Sequence, residues 1–116
     1  MPDRPRVSAL ICVRNGERYL GEAIDSALGQ SVPPAEVIVA EDGSEDRSAE
    51  VARSFEPKVR LIQGPPAGLG AARNRAVAAS AGELIAFLDC DDVWEPNKLE
   101  VQLAASIARK KEAPDA

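Results

Sequence analysis

Three carboxylates lie within four residues, at Asp89, Asp91 and Asp92, directly after the apolar run 84–88. At ~5 Å and an effective dielectric constant of about 20, each like-charged pair costs roughly 3 kcal/mol before screening. A divalent cation removes that repulsion, and hard divalent ions prefer oxygen ligands such as carboxylates. The spacing therefore predicts a metal site, with three solvated turn residues as the alternative.

A second acidic segment, residues 41–46, has the sequence Glu-Asp-Gly-Ser-Glu-Asp and also follows an apolar run. A tight turn is one interpretation, because Gly43 permits a positive φ and Ser44 or Asp46 can cap the following helix. Those roles leave the carboxylate of Asp42 available to a ligand. Capping and ligand binding are therefore compatible predictions for this segment.

Glycines and arginines lie between the two acidic segments. Residues 64–70 contain Gly-x-Gly without the lysine and Ser or Thr of a phosphate-binding P-loop, so this signal is weak. Arg73 lies in the first turn of a predicted helix, where its guanidinium could meet a phosphate or a base. A solvated arginine is the alternative for Arg73, and we expect Arg75 to remain at the surface.

Strand and helix patterns alternate along the chain, and together they predict how these residues are positioned. Four nearly continuous apolar runs are typical of parallel strands covered on both faces; they are residues 7–13, 37–40, 59–62 and 84–88. Helical patterns follow them at residues 19–28, 47–55, 69–79 and 98–110. This order favours an α/β fold whose strand-to-helix loops all emerge at the carboxyl edge of one parallel sheet, where ligands bind.

Length and composition limit the classes of function. With 116 residues the chain has room for one domain, and its net charge of −5 argues against a nucleic-acid partner. No apolar run is long enough for a transmembrane segment or has the form of a signal peptide, so we expect a cytoplasmic protein, free or peripheral to the inner face of the membrane. Cys12 and Cys90, with no histidine, predict reduced thiols rather than a zinc site or a disulfide.

Four segments resemble motifs of family 2 glycosyltransferases, in the order in which that family carries them. They are the opening strand and loop at 7–20, the acidic loop at 41–46, the Ala-Arg-Asn helix start at 70–75 and the Asp-x-Asp region at 82–94. The resemblance implies a GT-A type fold: a Rossmann-like three-layer α/β/α arrangement with a mainly parallel sheet in the order 3-2-1-4, truncated here. Residues 1–116 would then form one nucleotide-diphospho-sugar-binding domain, with residues 109–116 as a frayed tail.

The resemblance also implies roles for individual residues. Asp42 would hydrogen-bond the base, commonly uracil, Arg73 would approach the base or the phosphates, and Mn²⁺ or Mg²⁺ would bridge the acidic cluster and the diphosphate. The implied nucleotide-binding residues are Cys12, Val13, Arg14, Asn15, Asp42, Gly43, Arg73, Asp89 and Cys90, and the implied metal ligands are Asp91, Asp89 and Asp92. Base stacking departs from the family pattern, because Cys12 stands where proline is common and Arg14 where an aromatic residue is frequent.

The implied function is inverting transfer of a sugar from a nucleoside diphosphate sugar, UDP-linked in many members, to an unknown acceptor. Family members continue beyond the region matched here, and that continuation carries the acceptor site and the catalytic base. The catalytic residue of this chain is therefore unknown, and a non-catalytic nucleotide-sugar-binding fragment or vestigial module is the alternative. A phospho-acceptor receiver domain is disfavoured, because its first strand should end in acidic residues and here residues 12–15 are Cys-Val-Arg-Asn.

The order 3-2-1-4 puts the strand at residues 84–88 on an edge of the sheet. Its composition is that of a strand buried on both faces, without the lysine, proline or bulge that blunts an edge. We therefore expect self-association, most simply as a homodimer through the edge of strand 84–88.

Overall fold

Strands and helices alternate through residues 5–112, the part of the chain that the computed structural model describes. The elements are β1 (Val7–Val13), α1 (Glu17–Leu28), β2 (Glu36–Asp42), α2 (Ser48–Arg53), β3 (Arg60–Gly64), α3 (Leu69–Ala79), β4 (Leu84–Asp89) and α4 (Lys98–Glu112). All eight elements were predicted, and their bounds differ from the predicted ones by a few residues at most. Of the predicted tail, residues 109–112 lie in α4 and residues 113–116 lie outside the described residues.

The sheet has the strand order β3-β2-β1-β4 with every pair parallel, which confirms the predicted α/β fold and its order. β1 lies between β2 and β4, and each of these two strands carries a predicted site residue at its carboxyl end. At its carboxyl end Cys12 is opposite Ala40 of β2 on one side and Asp89 of β4 on the other. Parallel pairing therefore brings the ends of β1, β2 and β4 to one edge, as the sequence analysis expected.

The sheet is covered on both faces, because the side chains of β1 alternate between two cores. On one face, odd-numbered residues pack with α1, α2, α4 and the buried Trp94; those of β1 are Val7, Ala9, Ile11 and Val13. On the other face, Leu10 packs with Ile38 against Ala72 and Ala76 of α3. Alanine side chains let α3 lie close to the sheet, so the layers are helix, sheet and helix. Within residues 5–112, none of the helices combines the length and apolar composition needed to cross a bilayer.

β4 corrects one expectation, since it is not buried on both faces. Leu84, Ile85 and Phe87 are 37%, 39% and 46% exposed, and Leu88 is the buried residue of the strand. β4 is exposed because it lies at the edge of the sheet. α3 packs mainly on β1 and β2, so the face of β4 that adjoins Leu10 extends past the helix. On the opposite face a groove of about 290 Å³ separates β4 from α4.

Gln30 ties the segment after β4 to the end of α1. It is 5% exposed; its amide nitrogen donates to the carbonyl oxygens of Glu95 at 2.7 Å and Ser26 at 3.1 Å. Its amide oxygen accepts the N–H of Leu99 at 2.9 Å, which satisfies a free donor in the first turn of α4. This buried amide therefore sets where the chain goes after the acidic residues that follow β4.

Gln30→Leu should lower the free energy of unfolding by about 2 kcal/mol, because it keeps a similar volume but leaves the N–H of Leu99 unpaired in a buried site. Urea unfolding at unchanged m value measures this loss. Gln102→Leu is the matched control, since Gln102 is exposed, and it should change stability by less than about 0.5 kcal/mol. Equal effects of the two substitutions would contradict the structural role of Gln30.

β4 is an edge strand with exposed apolar residues, so the homodimer remains a prediction. Light scattering at micromolar concentration should give a mass above the 12.3 kDa of one chain. Ile85→Lys should shift the protein towards monomer, because a lysine on an edge strand opposes strand addition. Tyr19→Lys, at a 48% exposed residue of α1, should leave the mass unchanged. A wild-type protein that scatters as a 12.3 kDa monomer would show that the edge is not an interface.

Candidate functional site

The loops after β1 and β2 are joined by hydrogen bonds at the carboxyl edge of the sheet. At the start of α1, Gly16 donates its N–H to Oγ of Ser48, the first residue of α2, at 2.9 Å, and Glu17 donates its N–H to Asp46 Oδ2 in the neighbouring loop at 3.1 Å. Asp46 Oδ1 also accepts the N–H of Ser48 at 2.9 Å. Asp46 therefore supports the start of α1 as well as that of α2, where it was predicted as a cap.

Asn15 bridges the same two loops. Its φ is 55°, in the left-handed region that asparagine tolerates, and its N–H donates to Ser44 Oγ at 2.8 Å. Its side-chain Oδ1 accepts the N–H of Glu45 at 2.8 Å. Gly43 has the positive φ expected of it, 67°, and an added Cβ there would overlap Pro66. Asn15 and Gly43, both predicted to bind nucleotide, thus also hold the edge together.

Asp42, at the end of β2, is a buried carboxylate among the predicted site residues, with 1% of its surface exposed. Its Oδ1 accepts the N–H of Ala67 at 2.9 Å and a guanidinium N–H of Arg75 at 3.1 Å, and its Oδ2 accepts the N–H of Gly68 at 3.0 Å. The hydrogen bond from Ala67, together with those from Gly68 and Arg75, holds the pKa of Asp42 below its ordinary value, although burial opposes this. Asp42 is therefore an ionised group that can only accept hydrogen bonds.

Arg75 differs from the expectation that it would remain at the surface. Its side chain is 31% exposed and forms the ion pair with Asp42. Residues two apart on a helix point about 200° apart, so Arg75 and Arg73 lie on different sides of α3. The strand order was the signal for this contact, because α3 packs on β2 as well as on β1.

Arg73 lies on the side of α3 that faces β4. Its Nη2 is 4.0 Å from Asp89 Oδ1, and its guanidinium carbon is 5.6 Å from the centroid of the Phe87 ring. Arg73, Asp89 and Cys12 line a cavity of about 20 Å³, which is room for about one water molecule. The structure thus brings together three of the predicted nucleotide-binding residues, in a space that is closed to a nucleotide.

The acidic residues after β4 are exposed and form a turn. Asp92 donates its N–H to the carbonyl oxygen of Asp89 at 3.0 Å, and its Oδ1 accepts the N–H of Val93 at 3.0 Å. In the described part of the chain, no three acidic, histidine or cysteine side chains converge closely enough to hold a metal ion. The oxygen donors fit a divalent ion chemically, but solvation alone relieves the repulsion among Asp89, Asp91 and Asp92, so a metal here would need further ligands.

The remaining predicted residues occupy distinct surroundings. The side chain of Val13 is buried in the core with α1, so only its backbone borders the edge, and Arg14 is exposed at the rim. Cys12 and Cys90 are free thiols that contact the cores on opposite faces of the sheet. Burial raises the pKa of both thiols. The sheet therefore separates them, in keeping with the reduced state predicted from the sequence.

Comparison with known proteins connects this geometry to a family. Residues 8–112 match the sequence profile of Glycosyl transferase family 2. An uncharacterized glycosyltransferase of Rickettsia typhi is 40% identical over 99 residues, covering 85% of this chain and 31% of the relative. The putative glycosyltransferase EpsH of Bacillus subtilis is 36% identical over 104 residues, covering 87% of this chain and 30% of EpsH. The chain thus spans about a third of the length of these relatives.

The fold is similar to the N-terminal part of the GT-A fold in solved structures of S. aureus TarS. TarS 1–349 in complex with UDP superposes with a TM-score of 0.80 at 27% identity, covering 91% of this chain and 33% of that chain. The complex of TarS 1–349 with UDP-GlcNAc superposes with a TM-score of 0.72 at 28% identity, covering 90% and 31%. From the motifs, the sheet order and these comparisons, the chain belongs to glycosyl transferase family 2.

Proposed function

We propose that this chain binds a nucleoside diphosphate sugar, UDP-linked, at the carboxyl edge of the sheet, as the donor-binding part of an inverting glycosyltransferase. The observation that carries the proposal is the convergence of Cys12, Asp42, Arg73 and Asp89 on one edge. Support from outside the chain comes from TarS, which is similar in fold and has been solved with UDP and with UDP-GlcNAc.

Asp42 is the residue we assign to the base. An ionised carboxylate accepts hydrogen bonds and donates none, so it suits a base with an N–H on its edge. Uracil has such a donor at N3, whereas cytosine has an acceptor at the same position. The N–H groups of Ala67 and Gly68 occupy Asp42 here, at 2.9 and 3.0 Å, so binding of a base requires these two residues to move.

Arg73 and the acidic turn are assigned to the diphosphate. The guanidinium of Arg73 is half exposed and only weakly paired with Asp89 at 4.0 Å, so a phosphate can replace that partner. Asp89, Asp91 and Asp92 would repel a diphosphate unless a divalent ion, Mn²⁺ or Mg²⁺, lay between them. Such an ion supplies charge that stabilises the departing diphosphate. Because the three carboxylates do not converge, we propose that they hold the ion only together with phosphate oxygens.

Donor binding without sugar transfer is a second candidate. We assign each of these residues between 5 and 112 to the donor or to the metal, and we assign none as the base that activates an acceptor. A release assay for UDP from UDP-GlcNAc separates the candidates. Turnover by this chain supports the enzyme, and binding without turnover supports the donor-binding module.

Calorimetry should detect UDP binding in the presence of Mn²⁺ and an affinity at least about tenfold weaker with a chelator, because the diphosphate then meets uncompensated carboxylates. Asp91→Asn should also weaken binding in Mn²⁺ by about tenfold while the melting temperature stays unchanged, since an exposed loop carboxylate contributes little to stability.

Asp25→Asn is the matched control, because it removes the same charge from an exposed position in α1. It should bind UDP with wild-type affinity. Binding that ignores the chelator would contradict the metal role alone, and absence of UDP binding under every condition would contradict the proposed function.

A further inference from the structure

Arg75 crosses the end of β3 to reach Asp42. Its Nη2 donates to Asp42 Oδ1 at 3.1 Å and to the carbonyl oxygen of Pro65 at 3.3 Å. The guanidinium passes directly over the Cα of Gly64, where an added Cβ would overlap Nη1 of Arg75. Gly64 lies in a β-strand, and its φ is outside the left-handed region. The absence of a side chain at position 64 therefore leaves the space that Arg75 occupies, and an alanine there would displace the guanidinium.

The partners of Asp42 are of two physical kinds. Arg75 belongs to α3, and the neighbouring Ala76 is fully buried against the sheet, so the origin of the arginine side chain is fixed. Ala67 and Gly68 are exposed residues of the loop before α3. Backbone N–H groups of an exposed loop can exchange Asp42 for water, whereas the helix that carries Arg75 cannot leave without opening the core.

We propose that Arg75 is a positioning residue for base recognition: it holds the Asp42 carboxylate in one orientation while the base replaces the N–H groups of Ala67 and Gly68. This inference rests on the proposed function, in which Asp42 meets the base. A carboxylate has about four acceptor positions, and the loop and Arg75 approach separate ones. Arg75 can therefore stay in place when the loop donors are exchanged.

The chemistry of a buried carboxylate explains why this partner is needed. Removed from water, the charged form survives only with hydrogen bonds or an opposite charge beside it. A base that replaces two loop donors with one N–H leaves Arg75 as the charged partner. Without Arg75 the carboxyl group can take up a proton, and its O–H can then donate to N3 of cytosine. Loss of Arg75 should therefore weaken discrimination between uracil and cytosine as well as affinity.

Two substitutions test the proposal by different routes. Arg75→Met removes the guanidinium, and Gly64→Ala displaces it by adding a methyl group at a backbone conformation that alanine adopts. Dissociation constants for UDP and CDP are measured in Mn²⁺ by calorimetry. Each substitution should weaken UDP binding by about tenfold and reduce the preference for UDP over CDP by about the same factor, the size expected for one charge-assisted hydrogen bond.

Two further variants serve as a rescue and a control. Arg75→Lys should restore part of the preference for UDP, because an ammonium group also donates to Asp42 but does not fork between it and Pro65. Arg53→Met removes an exposed arginine whose guanidinium donates to Gln63 at 2.9 Å. This control should retain the wild-type affinity and the wild-type preference.

The outcomes separate this inference from the proposed function. A wild-type preference for UDP in Arg75→Met and Gly64→Ala would overturn the positioning role and leave the proposed function standing. Equal weakening of UDP and CDP, with a lowered melting temperature, would also overturn it, because that pattern reports a stability defect. If the wild-type protein binds neither nucleotide, the proposed function fails, and the role of Arg75 in base recognition fails with it.

Discussion

Parallel pairing of β1 with β2 on one side and with β4 on the other underlies the remainder of this structure. A parallel pair requires a crossover between its strands, so each connection carries a helix to one face of the sheet. Those helices bury both faces of β1, whose residues Ala9, Leu10 and Ile11 are fully inaccessible. The same pairing directs every strand-to-helix loop to one edge, which is why residues far apart in the chain meet there.

Three different physical arrangements accommodate the carboxylates at that edge. Asp42 is buried and receives hydrogen bonds from two backbone N–H groups and Arg75. Asp46 accepts one N–H at the beginning of α1 and one at the beginning of α2. Asp89 is largely exposed to water and interacts weakly with Arg73. A group already paired within the protein must exchange partners to bind a ligand, whereas a solvated one must only lose water, so these residues would respond differently to a nucleotide.

The loop before α3 both packs against Gly43 and supplies hydrogen-bond donors to Asp42. Gly43 and Pro66 pack so closely that a side chain at position 43 has no space, and the N–H groups of Ala67 and Gly68 then point to Asp42. The loop therefore shields the residue that we assign to the base. In the proposed function, donor binding would require this one exposed loop to move, while the sheet and the buried alanines of α3 would stay as a fixed frame.

The sequence by itself determined the class of fold, the order of its elements and the edge of the sheet at which the candidate site residues meet. Periodicity was sufficient for this, because apolar runs such as 7–13 mark buried parallel strands and Gly or Pro residues mark where they end. The motifs added the strand order and the family. Local pattern also predicted the positive φ of Gly43, since that requirement is a property of a turn and not of its surroundings.

Tertiary structure decided the partners of each side chain and the burial of β4. The apolar run of β4 is typical of a central strand. Phe87 and Ile85 are nevertheless exposed, because α3 packs mainly on β1 and β2 and this face of β4 extends past the helix. Arg75 was indistinguishable by sequence from a solvated arginine; its contact with Asp42 exists because β2 lies beneath α3 and Gly64 leaves a passage. The spacing of Asp89, Asp91 and Asp92 likewise did not determine whether their carboxylates converge. Spacing limits how far apart side chains can be, but the directions in which they point depend on the backbone of the turn and on the packing around it.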